Sequence, residues 1–312
     1  MLSVTLADLW FRARQFLIAI IGVGLVLAVA LAVTGLADGF HAEVENFVDS
    51  VGGSSWVMSG AAQGRITAFA AFPAADAAAV AHEPGVRKAS PILFAASQVV
   101  QVDDSALPQT VNLVGVVPGG LGAPHIVSGH GLSGPGQAVV DSKVTSHVGS
   151  TLVLGGHPYQ VVGIVNDATM LGGGPLVYMP IATVQQAVTG GRPLATAVAV
   201  LGTPSNLPHG LVALAPATVV TDTMGQLTSA VSSINSTRWL MWIIAAVIVA
   251  AMLYVAALER KRDFAVLKAL GSSSRALFLS LVLPIVAVVV GIVASVSALR
   301  RVTGADPAAA FG

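Results

Sequence analysis

The 312-residue sequence has no cysteine and few charged residues. Because cysteine is absent, a disulfide framework, thiol redox chemistry and a thiolate metal site are excluded. Only 10% of the residues are charged, against roughly 25% in soluble domains, which disfavours an ordinary cytosolic enzyme. Lysine plus arginine number 15, as do aspartate plus glutamate, so there is no positive excess to hold a phosphate backbone. We therefore expect no nucleic-acid partner.

The sequence contains long uncharged, apolar runs. Hydrophobic residues make up 54% of the chain, and its mean hydropathy is +0.81. Three uncharged runs, at 16–36, 239–258 and 276–299, are long enough to cross the roughly 30 Å hydrocarbon core as helices. They predict transmembrane helices 1, 2 and 3 in a lipid bilayer. A cleaved signal peptide is the alternative for the first run, although the apolar core of such peptides is usually only about 7 to 15 residues long.

Positive charges beside these runs predict their orientation. Arg12 and Arg14 precede the first run, and five lysines and arginines lie in 259–275, between the second and third runs. Such residues stay on the cytoplasmic side. The sequence thus predicts a cytoplasmic N-terminus at 1–15, a cytoplasmic segment at 259–275 and an extracytoplasmic segment at 38–237. The chain is rich in alanine and glycine, which suggests a bacterial genome. In that case the protein is located in the inner, or cytoplasmic, membrane.

The extracytoplasmic segment is predicted to be an α+β domain. Short β-branched runs bounded by glycine and proline predict strands at 109–117, 150–165, 175–181 and 195–201. Helical patches lie between them at 73–83 and 181–188. Mixed strands and helices of this kind are typical of the α+β class.

Apolar residues recur at helical spacing at both ends of this domain. They are Phe40, Val44 and Phe47 after the first span, and Leu227, Val231 and Ile234 before the second. The spacing predicts that both spans continue outward as helices. The two extensions could pack on each other as a stalk that passes span movement to the domain. The alternative is that they are ordinary domain helices.

Motifs for catalysis and cofactor binding are missing from the sequence. No Gly-Lys pair exists for a phosphate loop, and Gly131 to Pro135 only approaches the serine-hydrolase elbow. The glycines 172–174 are predicted to form a flexible loop. His125 and His130 have no carboxylate at ligand spacing, and Asp103 with Asp104 indicates a turn. We therefore predict no catalytic, cofactor or metal site and no enzymatic activity, and the uncharged spans disfavour an ion-coupled transporter.

The cytoplasmic segment after the second span carries the strongest functional pattern. It mixes charges with Phe264, Leu267 and Leu270 at helical spacing and reaches a turn at Gly271. One interpretation is a positively charged loop with a helix lying on the membrane. The other is a docking element whose apolar side chains enter a groove of a cytoplasmic partner while the charges set the register. The spacing leaves both open.

The same segment resembles the signature of the FtsX-like, MacB-type permeases of ABC transporters. The matching residues are Glu259, Arg260, Asp263, Leu267, Lys268, Ala269, Leu270 and Gly271. The stretches 84–93, 139–165 and 305–312 are also similar to the family's pattern, so the resemblance runs from end to end.

The resemblance implies a permease subunit with a MacB-like core domain. It would form a homodimer or heterodimer and bind a separate cytoplasmic ABC ATPase, whose ATP-driven closure would reach the outer domain by mechanotransmission. Members export peptides or antibiotics, release lipoproteins or control cell-wall hydrolases. The expected ATPase-coupling residues are Glu259, Arg260, Arg262, Asp263, Phe264, Leu267, Lys268 and Gly271. The competing hypothesis is a membrane-anchored binding or sensor protein without an ATPase.

The C-terminal tail departs from the family's pattern. The family usually has four spans, whereas here the tail 300–312, which looks like the end of a fourth span, follows directly on the third. This arrangement would place Arg300 and Arg301 outside, against the usual charge rule. Either an internal segment has been lost and the tail lies outside, or the last run does not cross simply.

Overall fold

A computed structural model describes residues 13–103, 107–225 and 228–259, together with Val266 and Ala269. The chain divides into two compact units. The first contains residues up to Thr34 and those from Ser233 onward. The second, called the domain unit below, is Gly35–Ser232 and nearly coincides with the predicted extracytoplasmic segment.

Two long helices contain the first two predicted spans. Helix α1, Ala13–Val51, has 39 residues and includes the run 16–36; helix α5, Thr228–Glu259, has 32 and includes 239–258. Within the described ranges, no helix combines the length and apolar character of a membrane span. The third run, 276–299, and the tail 300–312 lie outside the described residues. The spans therefore stay predictions.

Thirteen strands, three shorter α-helices and a 3-10 helix at Gly60–Ala62 are the other regular elements of the described residues. The helices are α2, Ala74–Ala81; α3, Ile181–Thr189; and α4, Pro216–Gly225. The first strands are β1, Ser55–Ser59; β2, Phe72–Pro73; β3, Val86–Val102; β4, Gln109–Val116; β5, Ser128–Gly129; and β6, Gln137–Asp141. The others are β7, Thr151–Leu154; β8, His157–Val165; β9, Thr169–Met170; β10, Gly174–Pro180; β11, Leu194–Ala195; β12, Ala197–Gly202; and β13, Leu211–Leu214.

Six of the strands close into a small barrel. β3 pairs with β4, β4 with β10, β10 with β6, β6 with β8, β8 with β7, and β7 returns to β3. The pairs β4–β10 and β6–β8 are parallel, and the other four are antiparallel. Alternate residues of all six strands form one buried cluster, including Leu113, Val140 and Met179, which fills the barrel. Val184 of α3 joins this cluster.

The long strand β3 also belongs to a four-stranded antiparallel sheet. The order of that sheet is β13-β1-β12-β3. On one face, Val57 and Val198 pack against Ala77 and Val80 of α2. On the other, Trp56 joins a larger core that also includes residues from the outside of the barrel. A shared 17-residue strand thus unites the sheet and the barrel in one domain.

The α+β prediction is confirmed for the described residues, and its strands at 109–117, 150–165, 175–181 and 195–201 correspond to observed strands. The predicted helices at 73–83 and 181–188 correspond to α2 and α3. Strands β1, β2, β5, β6, β9 and β13 were not predicted, and neither was the full length of β3. β3 contains Pro91 and a bulge at Ser97, and neighbouring residues such as Leu93 and Phe94 are buried in different cores, so it shows no simple alternation.

Candidate coupling site

The C-terminal end of helix α1 packs into the core of the domain unit. Val44 and Phe47 are 2% and 3% exposed, and Val48 and Val51 are equally buried. Phe40, one turn earlier, is half-buried. The stalk prediction has these residues packing on a second helix, but Val44 and Phe47 belong to the domain's own core. The packing of this helix on the extension that contains Val231 and Ile234 stays a prediction.

Aromatic contacts fix the centre of this packing. The Phe47 ring lies 6.4 Å from Trp56, tilted by 44°, and 6.2 Å from Phe94, nearly edge-on at 69°. Such pairs contribute about 0.5 to 1.5 kcal/mol each beyond the burial of their area. Because Trp56 lies on β1 and Phe94 on β3, one side chain of α1 contacts two strands of the four-stranded sheet.

A carboxylate attaches the same stretch of α1 to a hairpin. The Thr169 hydroxyl donates to Glu43 Oε1 at 3.0 Å, and the Gly172 amide donates to Glu43 Oε2 at 3.0 Å. Both carboxylate oxygens of Glu43 therefore bind groups from β9 and the turn after it. Hydrogen bonds to a charged group contribute about 1.5 to 3 kcal/mol, so this contact is stronger than a neutral pair. We call Glu43 with residues 167–174 the clamp.

The backbone of the clamp adopts a conformation that most residues avoid. Asp167 and Leu171 have positive φ angles of 54° and 60°, and Gly172 and Gly173 have φ of 85° and 87°. A Cβ on Gly172 would lie 2.9 Å from Cε1 of Phe40. Gly172 thus permits both the turn and the close approach of α1. The glycines 172–174 form a tethered hairpin turn and the start of β10 rather than a free loop.

A buried aspartate binds the backbone at the start of the clamp. Asp141, fully buried at the end of β6, accepts the Ala168 amide at 2.7 Å and the Lys143 amide at 2.9 Å. Burial raises the pKa of the nearby Tyr178 phenol above its usual value, and the negative charge of Asp141 adds to the effect. Tyr178 therefore stays neutral and packs as a core residue.

Helix α4 connects the domain unit to the second long helix. It ends at Gly225, and α5 begins at Thr228. Val219 and Val220 are buried, and Thr223, 2% exposed, accepts the Ile66 amide at 3.2 Å. A Cβ on Gly64 would collide with the Asp222 side chain, so only glycine lets the loop after β1 approach α4 this closely. The domain unit thus holds the chain firmly near both of its ends.

The remaining predicted site residues fall largely outside the described chain. Leu227 lies outside it, whereas Val231 and Ile234 lie in helix α5. Glu259 is the last residue of α5. The other expected ATPase-coupling residues lie outside the described residues: Arg260, Arg262, Asp263, Phe264, Leu267, Lys268 and Gly271. Their role stays a prediction.

The polar residues singled out in the sequence do not converge on one another. His125 and His130 are exposed, and the His130 ring pairs with the Gly131 carbonyl at 2.9 Å. Asp103 has a positive φ of 55° in the turn after β3 and accepts the Thr151 amide, while Asp104 is not described. Among the described residues, no group of three His, Asp or Glu side chains is arranged to hold a metal ion.

Comparison with known proteins adds two family matches. Residues 16–230 match the MacB-like periplasmic core domain, and residues 236–306 match the FtsX-like permease C-terminal domain. Two solved structures are similar to part of the chain. The periplasmic region of MacB from Actinobacillus actinomycetemcomitans is 13% identical, with 54% of this chain and 90% of that one covered and a TM-score of 0.39. The extracellular domain of the noncanonic ABC-type transporter YknZ from Gram-positive bacteria is 12% identical, with 51% and 99% covered and a TM-score of 0.38.

Curated relatives match the whole chain. An uncharacterized ABC transporter permease of Mycobacterium bovis and one of Mycobacterium tuberculosis are each 33% identical, covering 100% of this chain and 99% of the relative. These alignments run over 350 residues, whereas this chain has 312, so the relatives hold residues without a counterpart here. The chain belongs to the FtsX-like, MacB-type ABC transporter permeases, a membrane-integral family with a periplasmic core domain.

Proposed function

We propose that this chain is the transmembrane subunit of an ABC transporter complex. In this complex a separate cytoplasmic ATPase hydrolyses ATP, and the chain converts the resulting movement into a conformational change of its extracytoplasmic domain. Family membership supports the permease role. The absence of any Gly-Lys pair for a phosphate loop supports placing ATP hydrolysis on the partner.

The proposed membrane arrangement follows the charge pattern. Residues 16–36, 239–258 and 276–299 cross the bilayer, and 38–237 lies outside the cytoplasm. The lack of charge in these runs and the cluster of lysines and arginines at 259–275 support this arrangement. The match of residues 16–230 to a periplasmic core domain supports the same side for the domain.

One observation carries the proposed coupling: helix α1 contains both the predicted first span and the residues bound to the domain core. Its 39 residues include the run 16–36 and also Glu43 and Phe47, which hold the clamp and the aromatic centre. Interactions of this kind resist being pulled apart by small displacements, because a packed core has few alternative arrangements. Movement of the first span is therefore passed to the domain through these contacts.

The proposed input site is the segment that follows helix α5. Phe264 and Leu267 enter a groove of the ATPase, and Glu259, Arg260 and Asp263 set the register. The match of residues 236–306 to the FtsX-like permease domain supports this assignment. Coupling requires that the ATPase bind two conformations of the permease with unequal affinity. We place that difference in affinity at residues 259–271, in a homodimer or a heterodimer of permeases.

The output of the complex is export, lipoprotein release or control of cell-wall enzymes. These three share the requirement that an outer domain changes shape when ATP is hydrolysed inside. The domain unit is suited to that demand because its core is continuous with the outer half of α1.

The ATPase interaction is tested by co-purification. The full chain is co-expressed with candidate ABC ATPase subunits from the same genome, and the ATPase recovered with the tagged permease is measured. We expect Leu267→Asp and Gly271→Pro to abolish recovery, because the first places a charge in the groove and the second disrupts the turn. Membrane insertion of both variants should be unchanged.

A matched control is the same substitution at an exposed leucine. Leu107, two residues before β4, is 83% exposed, so Leu107→Asp should leave ATPase recovery unaltered. Undiminished recovery with both Leu267→Asp and Gly271→Pro would contradict the proposed input site. If the unaltered chain recovers no ATPase at all, the membrane-anchored sensor becomes the better account.

A further inference from the structure

Asn112 contacts both the clamp and an irregularity in β3. It lies on β4, is 4% exposed, and donates to the Met170 carbonyl at 3.2 Å and to the Gly174 carbonyl at 3.3 Å. Its Oδ1 accepts the Ser97 amide at 3.2 Å. The side chain thus binds both ends of the hairpin turn with its NH₂ group and β3 with its carbonyl oxygen.

The Ser97 amide belongs to a β-bulge. The pairing of β3 with β4 shifts between Ala95 and Gln98, so that Ala96 and Ser97 together stand opposite Asn112. Ser97 has a positive φ of 55°. This conformation is higher in free energy for a residue with a side chain than for glycine. The hydrogen bond from its amide to Asn112 offsets part of that cost, so Asn112 helps to hold the bulge in place.

The bulge lies within the part of β3 that pairs with β4, shortly before β3 pairs with β7. Residues 86–92 of β3 pair with β12 in the four-stranded sheet, residues 93–95 and 98–100 on the two sides of the bulge pair with β4, and residues 100–102 pair with β7 to close the barrel. Bulges bend and twist the strand that carries them. The position of Ser97 therefore sets the direction of the last part of β3, which pairs with β7 where the barrel closes.

We propose that Asn112 is a positioning residue that makes the clamp and the β3 bulge move as one unit. The hydrogen bonds form a continuous series from Glu43 of α1, through Thr169, Gly172 and the hairpin carbonyls, to Asn112 and Ser97. A displacement of α1 then changes the course of β3 where the barrel closes. This inference rests on the proposed function for its purpose, but its test does not require the ATPase.

The test is hydrogen–deuterium exchange of the full chain purified in detergent without an ATPase. Glu43→Ala should raise exchange of the Ser97 amide about five- to tenfold, although Glu43 does not touch Ser97. Asn112→Leu should raise exchange of the Gly172 amide by a similar factor. The matched controls are Glu45→Ala, on an exposed part of α1, and Thr110→Val, on an exposed part of β4; both should leave the two amides unchanged.

An internal reference separates this effect from general loosening. The Gly60 amide donates to the Gly210 carbonyl at 2.7 Å beside the pair β1–β13, outside the proposed series. Its exchange should stay constant in Glu43→Ala and in the milder Glu43→Gln. Unchanged Ser97 exchange alongside faster Gly172 exchange would overturn the proposal, as would an equal rise at Gly60 in both Glu43 variants. Failure of the ATPase co-purification would leave this result unaffected and would count only against the proposed function.

Discussion

Phe47→Ala is the perturbation that most directly tests whether the C-terminal part of α1 belongs to the domain core. The side chain is 3% exposed and contacts the rings of Trp56 and Phe94. Replacing a buried phenylalanine by alanine costs about 3 to 5 kcal/mol, because apolar contacts are lost and a cavity remains. Since whole domains are stable by only about 5 to 15 kcal/mol, the variant should be severely weakened.

The absence of cysteine provides a clean assay for this change. Ala199 is fully buried on β12, so a single Ala199→Cys thiol should react with a maleimide only when the domain opens. Labelling of the full chain in mild detergent is measured across a urea series. With a urea dependence of about 1 to 3 kcal/mol per molar, Phe47→Ala should lower the midpoint by about 1 M or more.

The matched control is the same substitution at a surface position. Phe69 is 54% exposed, and Phe69→Ala should change stability by no more than about 0.5 kcal/mol. If Phe47→Ala and Phe69→Ala have the same urea midpoint, the C-terminal part of α1 does not support the core, and the proposed route of coupling fails.

Three further predictions use the same urea assay. Gly172→Ala should destabilise the domain by about 1 to 3 kcal/mol, because its φ is +85° and its Cβ would lie 2.9 Å from Phe40. Thr223→Val should cost about 1 to 3 kcal/mol, because the Ile66 amide loses its acceptor. Stability should fall as the pH rises above about 10, because the unfolded chain releases the phenol proton of Tyr178 while the folded chain retains it, and Tyr178→Phe should flatten that fall.

Each of these predictions has its own contrary result. If Gly172→Ala leaves the urea midpoint unchanged, the close approach of α1 to the turn does not contribute to stability. For Thr223, the control is Thr221→Val on the exposed side of α4, and equal effects would show that the Ile66 bond contributes nothing. An identical decline of stability above about pH 10 in Tyr178→Phe and the unaltered chain would exclude Tyr178 as its source.

The sequence predicts strands best where their pattern is local. β4 and β10 appear as short β-branched runs because both faces of each are largely buried, which produces nearly continuous apolar segments. β3 cannot be found in this way. It carries Lys88 at an exposed position, includes Pro91 and is interrupted by the bulge at Ser97, so neither a continuous run nor a strict alternation is present.

The candidate site is harder to predict because its contacts are remote in sequence. Glu43 reads as an ordinary charge on an amphipathic helix, yet its partners Thr169 and Gly172 lie 126 and 129 residues away. The apolar spacing of Val44 and Phe47 correctly indicates a helix with one buried face. Spacing contains no information about which surface covers that face, and Val44 and Phe47 lie in the domain core.

Coupling between the ATPase and the outer domain of the proposed complex can be measured through a single introduced thiol. Leu171→Cys would place a label at the tip of the clamp, where the native side chain is 37% exposed. Its labelling rate is measured in the assembled permease–ATPase complex with ATP bound and with ADP bound. We expect the two rates to differ by about fivefold or more, a coupling of the size usual between linked sites, and we expect Leu267→Asp to remove the difference. Equal rates with ATP and ADP, or a difference that persists in Leu267→Asp, would contradict the claim that this chain carries movement from its cytoplasmic segment to its outer domain.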